Sequence, residues 1–282
     1  MKLRKVSAAA AAVLALSLAA TACGSDDDSN DKGGSGSGGG KKIAIGIKID
    51  QPGLGQKLPS GKYAGFDVDV ATYVAKALGY EPGQIQWKEA KSADRETMLA
   101  RGDVQFIAAS YSITDEREQK VDFAGPYLLA HQDILVRADE SGIKDPKDLN
   151  SKKLCSVTGS TSAQNIHDKL APKAQLLEYG GYSECLTGLE NKAVDALTTD
   201  DSILAGYAAQ KDFQGKFKLA GFKMTNENYG IGVKKGSDLK AKINDALKKM
   251  VDDGSWDKAV KDNFGPANYK NEKAPKIGDV VK

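Results

Sequence analysis

Between Phe106 and Tyr127 the chain reads FIAASYSITDEREQKVDFAGPY, and the polar residues of this stretch could hold an anion. The apolar run Phe106 to Ala109 predicts a buried strand. Three hydroxyl residues follow, Ser110, Tyr111 and Ser112, and then a charged turn from Thr114 to Arg117. Hydroxyls and an arginine just past the carboxyl end of a strand suit a bound anion, because open α/β sheets take ligands at that edge. A guanidinium grips a carboxylate through two parallel charge-assisted hydrogen bonds. The alternative is a solvated turn in which Arg117 pairs with Asp115 or Glu116.

Strand and helix patterns alternate around this stretch. Residues 43–49 read as a first strand, followed by a loop rich in Gly and Pro. Residues 66–78 place Val70, Tyr73, Val74, Ala77 and Leu78 at helical spacing, with Asp67 as the expected N-cap and Gly79 as the expected C-cap. A strand at 85–87, a helix at 93–100 and the strand at 104–109 complete this series. A second series starts near Ile134. Strands at 153–157, 174–177, 194–198 and 217–220 alternate there with helices over TGSTSAQNIHDKL, at 184–190 and at 202–210. A strand at 229–233, a long helix at 239–251 and a helical stripe of Trp256, Val260 and Phe264 close the chain. Two α/β series and a helical tail predict two lobes, with the tail returning to one of them.

The N-terminal residues carry a different signal. Lys2, Arg4 and Lys5 precede an apolar, alanine-rich run from Val6 to Ala20, too short for a good membrane span. Ala20-Thr21-Ala22 then leads into Cys23, which resembles a bacterial lipobox with the lipid on Cys23. Ala20 stands where most lipoboxes have Leu, and simple secretory cleavage is the alternative. The next seventeen residues are Gly, Ser, Asp, Asn and Lys. They cannot bury apolar surface, and as a flexible coil they reach roughly 20–25 Å.

With Cys23 lipidated, Cys155 and Cys185 remain as a pair in an exported chain, where disulfides persist. They are expected to be bonded, contributing ~3 kcal/mol in the chain-entropy account; two buried free thiols are the other reading. No metal and no cofactor is expected, since His131 and His167 lie far apart without ligand spacing. The formal charge of +2, with no basic block and interleaved aromatics, argues against nucleic acid.

The segments ASYSITDERE…VDFAGPY, GSTSAQN and DALTTDDSILAGY resemble the bacterial extracellular solute-binding proteins of family 3, the polar amino-acid receptors of ABC importers. The likeness runs from about Lys42 to Gly265. GIKIDQPGLG and CSVTGSTSAQN resemble the actinobacterial glutamate-binding branch. The resemblance implies a periplasmic-binding-protein-like (type II) fold, two α/β lobes joined by crossing segments near 128–137 and 223–229. It divides the chain into leader (1–22), lipidated tether (23–40), a first lobe (41–130 and 226–282) and an inserted second lobe (131–225).

On this resemblance Arg117 grips a ligand α-carboxylate, with Ser110, Tyr111 and Ser112 beside it. Ser160 and Thr161 add donors from a helix N-terminus in the other lobe. Asp200 holds the ligand ammonium, with Asp201 as the neighbouring alternative. Lys48, Ser92 and Arg95 depart from the pattern for cationic ligands and are expected to hold a side-chain carboxylate; the alternative is that Arg95 is a solvated helix residue paired with Asp94 or Glu96, and that Lys48 too stays outside the site. The implied protein is a monomeric, lipid-anchored receptor that delivers glutamate or aspartate to a permease. The alternatives are a receptor for glutamine or another polar amino acid, a cyclohexadienyl-dehydratase-like enzyme on the same fold, and a sensor that feeds no importer.

Overall fold

Ile43, Ile45 and Ile47 are buried because their strand, β1 (Ile43–Ile47), lies between two parallel neighbours, β5 (Ile85–Glu89) and β6 (Phe106–Ile107). The computed structural model describes residues 41–281; the expected leader, the lipobox cysteine Cys23 and the tether lie outside the described residues. Successive side chains of a strand point to opposite faces. Phe106 and Ala108 accordingly join the apolar cluster of helix α1 (Phe66–Ala77), while Ile107 and Ala109 join the cluster of α2 (Arg95–Arg101). The loop after β1 is more ordered than its Gly/Pro content predicts. It folds into a small antiparallel sheet of β2 (Asp50–Gln51), β3 (Gly55–Lys57) and β4 (Tyr63–Ala64).

Asp67 is not the N-cap of α1. Gly65 takes that position at φ 125°, where a Cβ would lie 2.0 Å from the Leu54 carbonyl oxygen. The Asp67 carboxylate is instead buried, accepting from Ser110 N at 2.8 Å and Tyr127 OH at 2.7 Å.

The two sheets share a strand. After the single turn α3 (Asp115–Glu118), β7 runs unbroken for 17 residues (Val121–Arg137). Its first part pairs antiparallel with β12 (Asn226–Lys234), from Val121 opposite Lys234 to His131 opposite Asn226. Its last part pairs antiparallel with β10 (Ala196–Asp200), from Gln132 opposite Asp200 to Val136 opposite Ala196, and also with β11 (Phe217–Leu219). Beyond β10 lie β8 (Lys153–Val157) and β9 (Gln175–Tyr179), parallel to each other. β7 and β12 are thus the two segments that cross between the lobes.

Helices α4 (Thr161–Asn165), α5 (Tyr182–Glu190) and α6 (Asp201–Ala208) connect the strands of the second sheet. Cys155 on β8 and Cys185 on α5 are disulfide-bonded, with Cα atoms 5.5 Å apart. The expected helical tail forms α7 (Leu239–Asp252) and α8 (Ser255–Phe264), whose Ile243, Leu247, Trp256 and Phe264 pack in the same core as Phe66 and Val70. The chain then returns along the crossing strands. Tyr269 OH donates to Asp201, Glu272 lies 3.5 Å from His131 Nε2, and Val281 N donates to Asn228. Among the described residues no helix is long and apolar enough to cross a membrane, and no group of three His, Cys, Asp or Glu could hold a metal ion.

Candidate functional site

Strand ends of both sheets converge on one narrow cavity between the lobes, bounded by Ser92, Arg95, Ser110 and Arg117 from one side and by Ser160, Thr161 and Asp200 from the other. A groove of about 780 Å³ shares Ser92, Arg117 and Ser160 with it.

Backbone geometry puts the first group in place. Past Ala109 the chain enters the left-handed region at Ser110, φ 43°, which turns it out of the strand. The Asp67 carboxylate stabilises this conformation by accepting from Ser110 N, while Ser110 Oγ donates to Gln51 Oε1 at 3.0 Å. Burial pushes the Asp67 carboxyl up to about 6, against the lowering effect of its donors Tyr127 OH and Ser110 N. Thr114 caps the turn of α3 and so sets the direction of Arg117.

Three cations collect here. Arg95 is buried, donates from Nη1 to the carbonyl oxygens of Ala109 (3.1 Å) and Ser110 (3.4 Å), and lies 4.0 Å above the centre of the Tyr111 ring. Its Nε has no hydrogen-bond partner. Arg117 sits 5.1 Å from the centre of the same ring, donates to Ser112 O at 2.8 Å, and crosses the cleft to donate to Gly159 O at 3.0 Å. Glu96 Oε1 approaches its Nε at 3.6 Å. Lys48 is buried behind Ser92, donating to Ser92 Oγ at 2.9 Å. Burial, and then the Arg95 charge, push the Lys48 ammonium down to about 7. Burial and Arg117 lower Arg95 to about 10.

The opposite wall is acidic. Asp200 ends β10 and accepts from Tyr229 OH at 2.5 Å and Ser162 Oγ at 3.4 Å. Burial, and then the neighbouring Glu227 carboxylate, hold its carboxyl well above the usual range. Asp201 is placed differently: its Oδ1 accepts from His131 N, Ser202 N and Tyr269 OH, all within 3.0 Å. It ties α6 to the crossing strand and to the tail. Thr161 Oγ1 donates to Glu227 Oε2 at 2.9 Å, and Ser160 Oγ accepts from Ala163 N at 3.0 Å. The Thr161 hydroxyl proton is therefore committed to Glu227.

Of the residues expected to contact ligand, Ser92, Arg95, Ser110, Arg117, Ser160, Thr161 and Asp200 border this cavity. Lys48 reaches it through Ser92. Tyr111 is the platform under two guanidiniums, and Ser112 supplies a carbonyl to Arg117. Gln51, Asp67, Tyr182, Glu227 and Tyr229 escaped the sequence reading. Gln51, Tyr182 and Glu227 carry no local pattern, Asp67 was legible only as a helix cap, and Tyr229 only as a strand residue.

In charge terms the site is polarised. Buried cations repel one another on one wall, and buried acids do so on the other. Burial disfavours each charged form, and a ligand that pairs with it removes the penalty. A small zwitterion matches this arrangement.

This fold and this interlobe site define a solute-binding protein. The description of the bacterial extracellular solute-binding proteins, family 3, matches residues 43–266, and the chain belongs to that family. It is 45% identical over 234 residues to the glutamate-binding protein GluB of Corynebacterium efficiens, covering 79% of each chain. It is 44% identical over 223 residues to the glutamine-binding protein GlnH of Bacillus subtilis, covering 78% of this chain and 80% of that one. Among solved structures, an ancestral arginine-binding protein bound to glutamine aligns with a TM-score of 0.74 at 34% identity, covering 79% of this chain and 98% of the other.

Proposed function

We propose that the chain is a receptor for an acidic amino acid, glutamate or aspartate, which it captures between its lobes and delivers to an ABC importer. The observation that carries this reading is the pair of buried guanidiniums, Arg95 and Arg117, facing Asp200 across one cavity, with the buried Lys48 ammonium bonded to Ser92 on the cavity wall. Asp200, which borders the cavity, holds the ammonium; Asp201 does not border it, and its Oδ1 is engaged by three donors. Arg117, with the Ser160 hydroxyl and the Thr161 backbone, holds the α-carboxylate; Ser110, whose N–H and hydroxyl go to Asp67 and Gln51, shapes the wall beside it. Lys48, Ser92 and Arg95 hold the side-chain carboxylate, and glutamine would leave one of these cations without a partner. The similarity to a glutamate-binding relative supports this choice, and the glutamine-binding relative makes glutamine the competing reading.

The lobes are residues 41–130 with 226–282, and 131–225. Cys23 carries the lipid that holds the receptor, as a monomer, at the outer face of the membrane. A receptor rather than a catalytic role is favoured by the relatives, which are binding proteins; the ring of His131 faces Glu272 on the tail side. Titration calorimetry with glutamate, aspartate and glutamine tests the reading. Glutamine binding more tightly than both acids would overturn it.

A further inference from the structure

The lobes also meet along a line where three positions have no Cβ. Gly159 lies against Ala93, Gly181 against the Asp50 carboxylate, and Gly206 against Pro52. A Cβ on Gly159 would fall 2.8 Å from Ala93 Cα, on Gly181 2.8 Å from Asp50 Oδ2, and on Gly206 2.0 Å from the Pro52 carbonyl oxygen. All three glycines belong to the second lobe and all three neighbours to the first. The same line carries polar links. Asp50 Oδ2 accepts from the Ser183 N–H and hydroxyl at 3.3 Å each, at the first turn of α5. The Asp50 carbonyl oxygen accepts from Tyr207 OH at 2.5 Å.

From these contacts we infer that Asp50, Gly181 and Gly206 form a closure seam that sets how tightly the lobes shut, without touching the ligand. The inference rests on the reading of the chain as a closing receptor, though not on which amino acid it takes. Gly206 lies inside α6 and outside the left-handed region, so alanine suits its backbone and raises helix propensity within its own lobe. The obstacle is a backbone oxygen of the opposite lobe, which cannot swing aside as a side chain can. The Pro52 turn is fastened by Leu54 N to Gln51 O and by Phe66 N to Gly53 O. An added methyl at Gly206 therefore opposes closure while leaving each lobe intact. Gly159 is a poorer probe, because its φ of 76° strains any substituent whatever the lobe positions.

The test is a pair of spin labels, one per lobe, whose separation is measured in the full chain with and without each common amino acid. Gly206→Ala is expected to remove the short-distance population under both conditions. It is also expected to weaken whichever ligand the wild type binds by roughly tenfold to a hundredfold, the scale of overpacking a close contact. Its ligand-free melting temperature should not fall. Gly188→Ala is the control: it lies on α5 of the same lobe, and its Cβ would meet only Val194 at ordinary contact distance. Asp50→Ala should shorten the lifetime of the closed form with the ligand contacts unchanged. A Gly206→Ala chain with the wild-type short-distance population overturns the seam, as does one that melts lower with unaltered affinity. A ligand other than an acidic amino acid would overturn the proposed specificity and leave the seam standing.

Discussion

Lys48 Nζ donates to Ser92 Oγ at 2.9 Å, so a buried ammonium meets a neutral hydroxyl at the margin of the cavity. Its largest charged influence is Arg95, of the same sign, which Asp50 and Glu89 offset only in part, and in the proposed reading this makes binding sensitive to pH and to ligand charge.

The Lys48 ammonium is pushed from 10.5 to about 7 by burial and by Arg95. A ligand carboxylate beside it would raise that value again, so the complex would hold more protons than the free protein above pH 7. Glutamate affinity is therefore expected to fall as pH rises from about 7 to 9, by up to about tenfold per unit. Lys48→Met should flatten the slope and bring glutamate and glutamine affinities together. Calorimetry at several pH values checks both. The same shift affects stability of the ligand-free protein. Between pH 7 and 10.5 the unfolded chain binds more protons, so this lysine's contribution to stability declines as pH drops through that window.

Arg117 links the lobes, donating to Ser112 O on its own lobe and to Gly159 O on the other, and in the proposed reading it also grips the ligand. Arg117→Ala is expected to weaken every amino acid by roughly a hundredfold or more, as when one partner of a buried charged pair is lost. Arg95→Ala should mainly reduce the preference for glutamate over glutamine. It should also lower the melting temperature, since Arg95 bonds two buried carbonyls and stacks on Tyr111.

Asp200 and Asp201 are adjacent in sequence and should respond in opposite ways. Burial and Glu227 raise the Asp200 carboxyl well above its ordinary 3.8, so its contribution to folding diminishes as pH rises above that value. Asp200→Asn should raise the ligand-free melting temperature at neutral pH and greatly weaken binding. Asp201→Asn removes a charged acceptor from three donors. It should lower the melting temperature with the smaller effect on affinity. Paired thermal melts and titrations separate the two.

Reducing the disulfide should cost the second lobe stability. Cys155 and Cys185 close a loop of 30 residues, and replacing both with serine is expected to lose about 2–4 kcal/mol in denaturant unfolding.

The helices were legible where apolar residues repeat at helical spacing, as in Leu239–Asp252, and the strand Lys153–Val157 coincides with its pattern. The 17-residue β7 was not, because Gln132 and Asp133 interrupt its apolar run. Asp133 is accommodated by accepting from Ile134 N, Gly221 N and Phe222 N, the last two supplied by a distant segment. Asp67 was misread for a similar reason. Its position suggested a local cap, whereas its partners Ser110 and Tyr127 lie 43 and 60 residues away. Within the site, the charged strand-end residues stood out by type. Glu227 and Gln51 did not, since their roles come from where β12 and the Pro52 turn are carried by the fold.

The central claim is that two buried cations, Lys48 and Arg95, choose an acidic side chain. Its most direct measurement is calorimetric titration of the ligand-free protein with L-glutamate, L-aspartate and L-glutamine at pH 7. An acidic amino acid is expected to bind at least about tenfold more tightly than glutamine, a difference of about 1.4 kcal/mol. Glutamine binding as tightly as or more tightly than both acids would contradict the assignment of Lys48, Ser92 and Arg95.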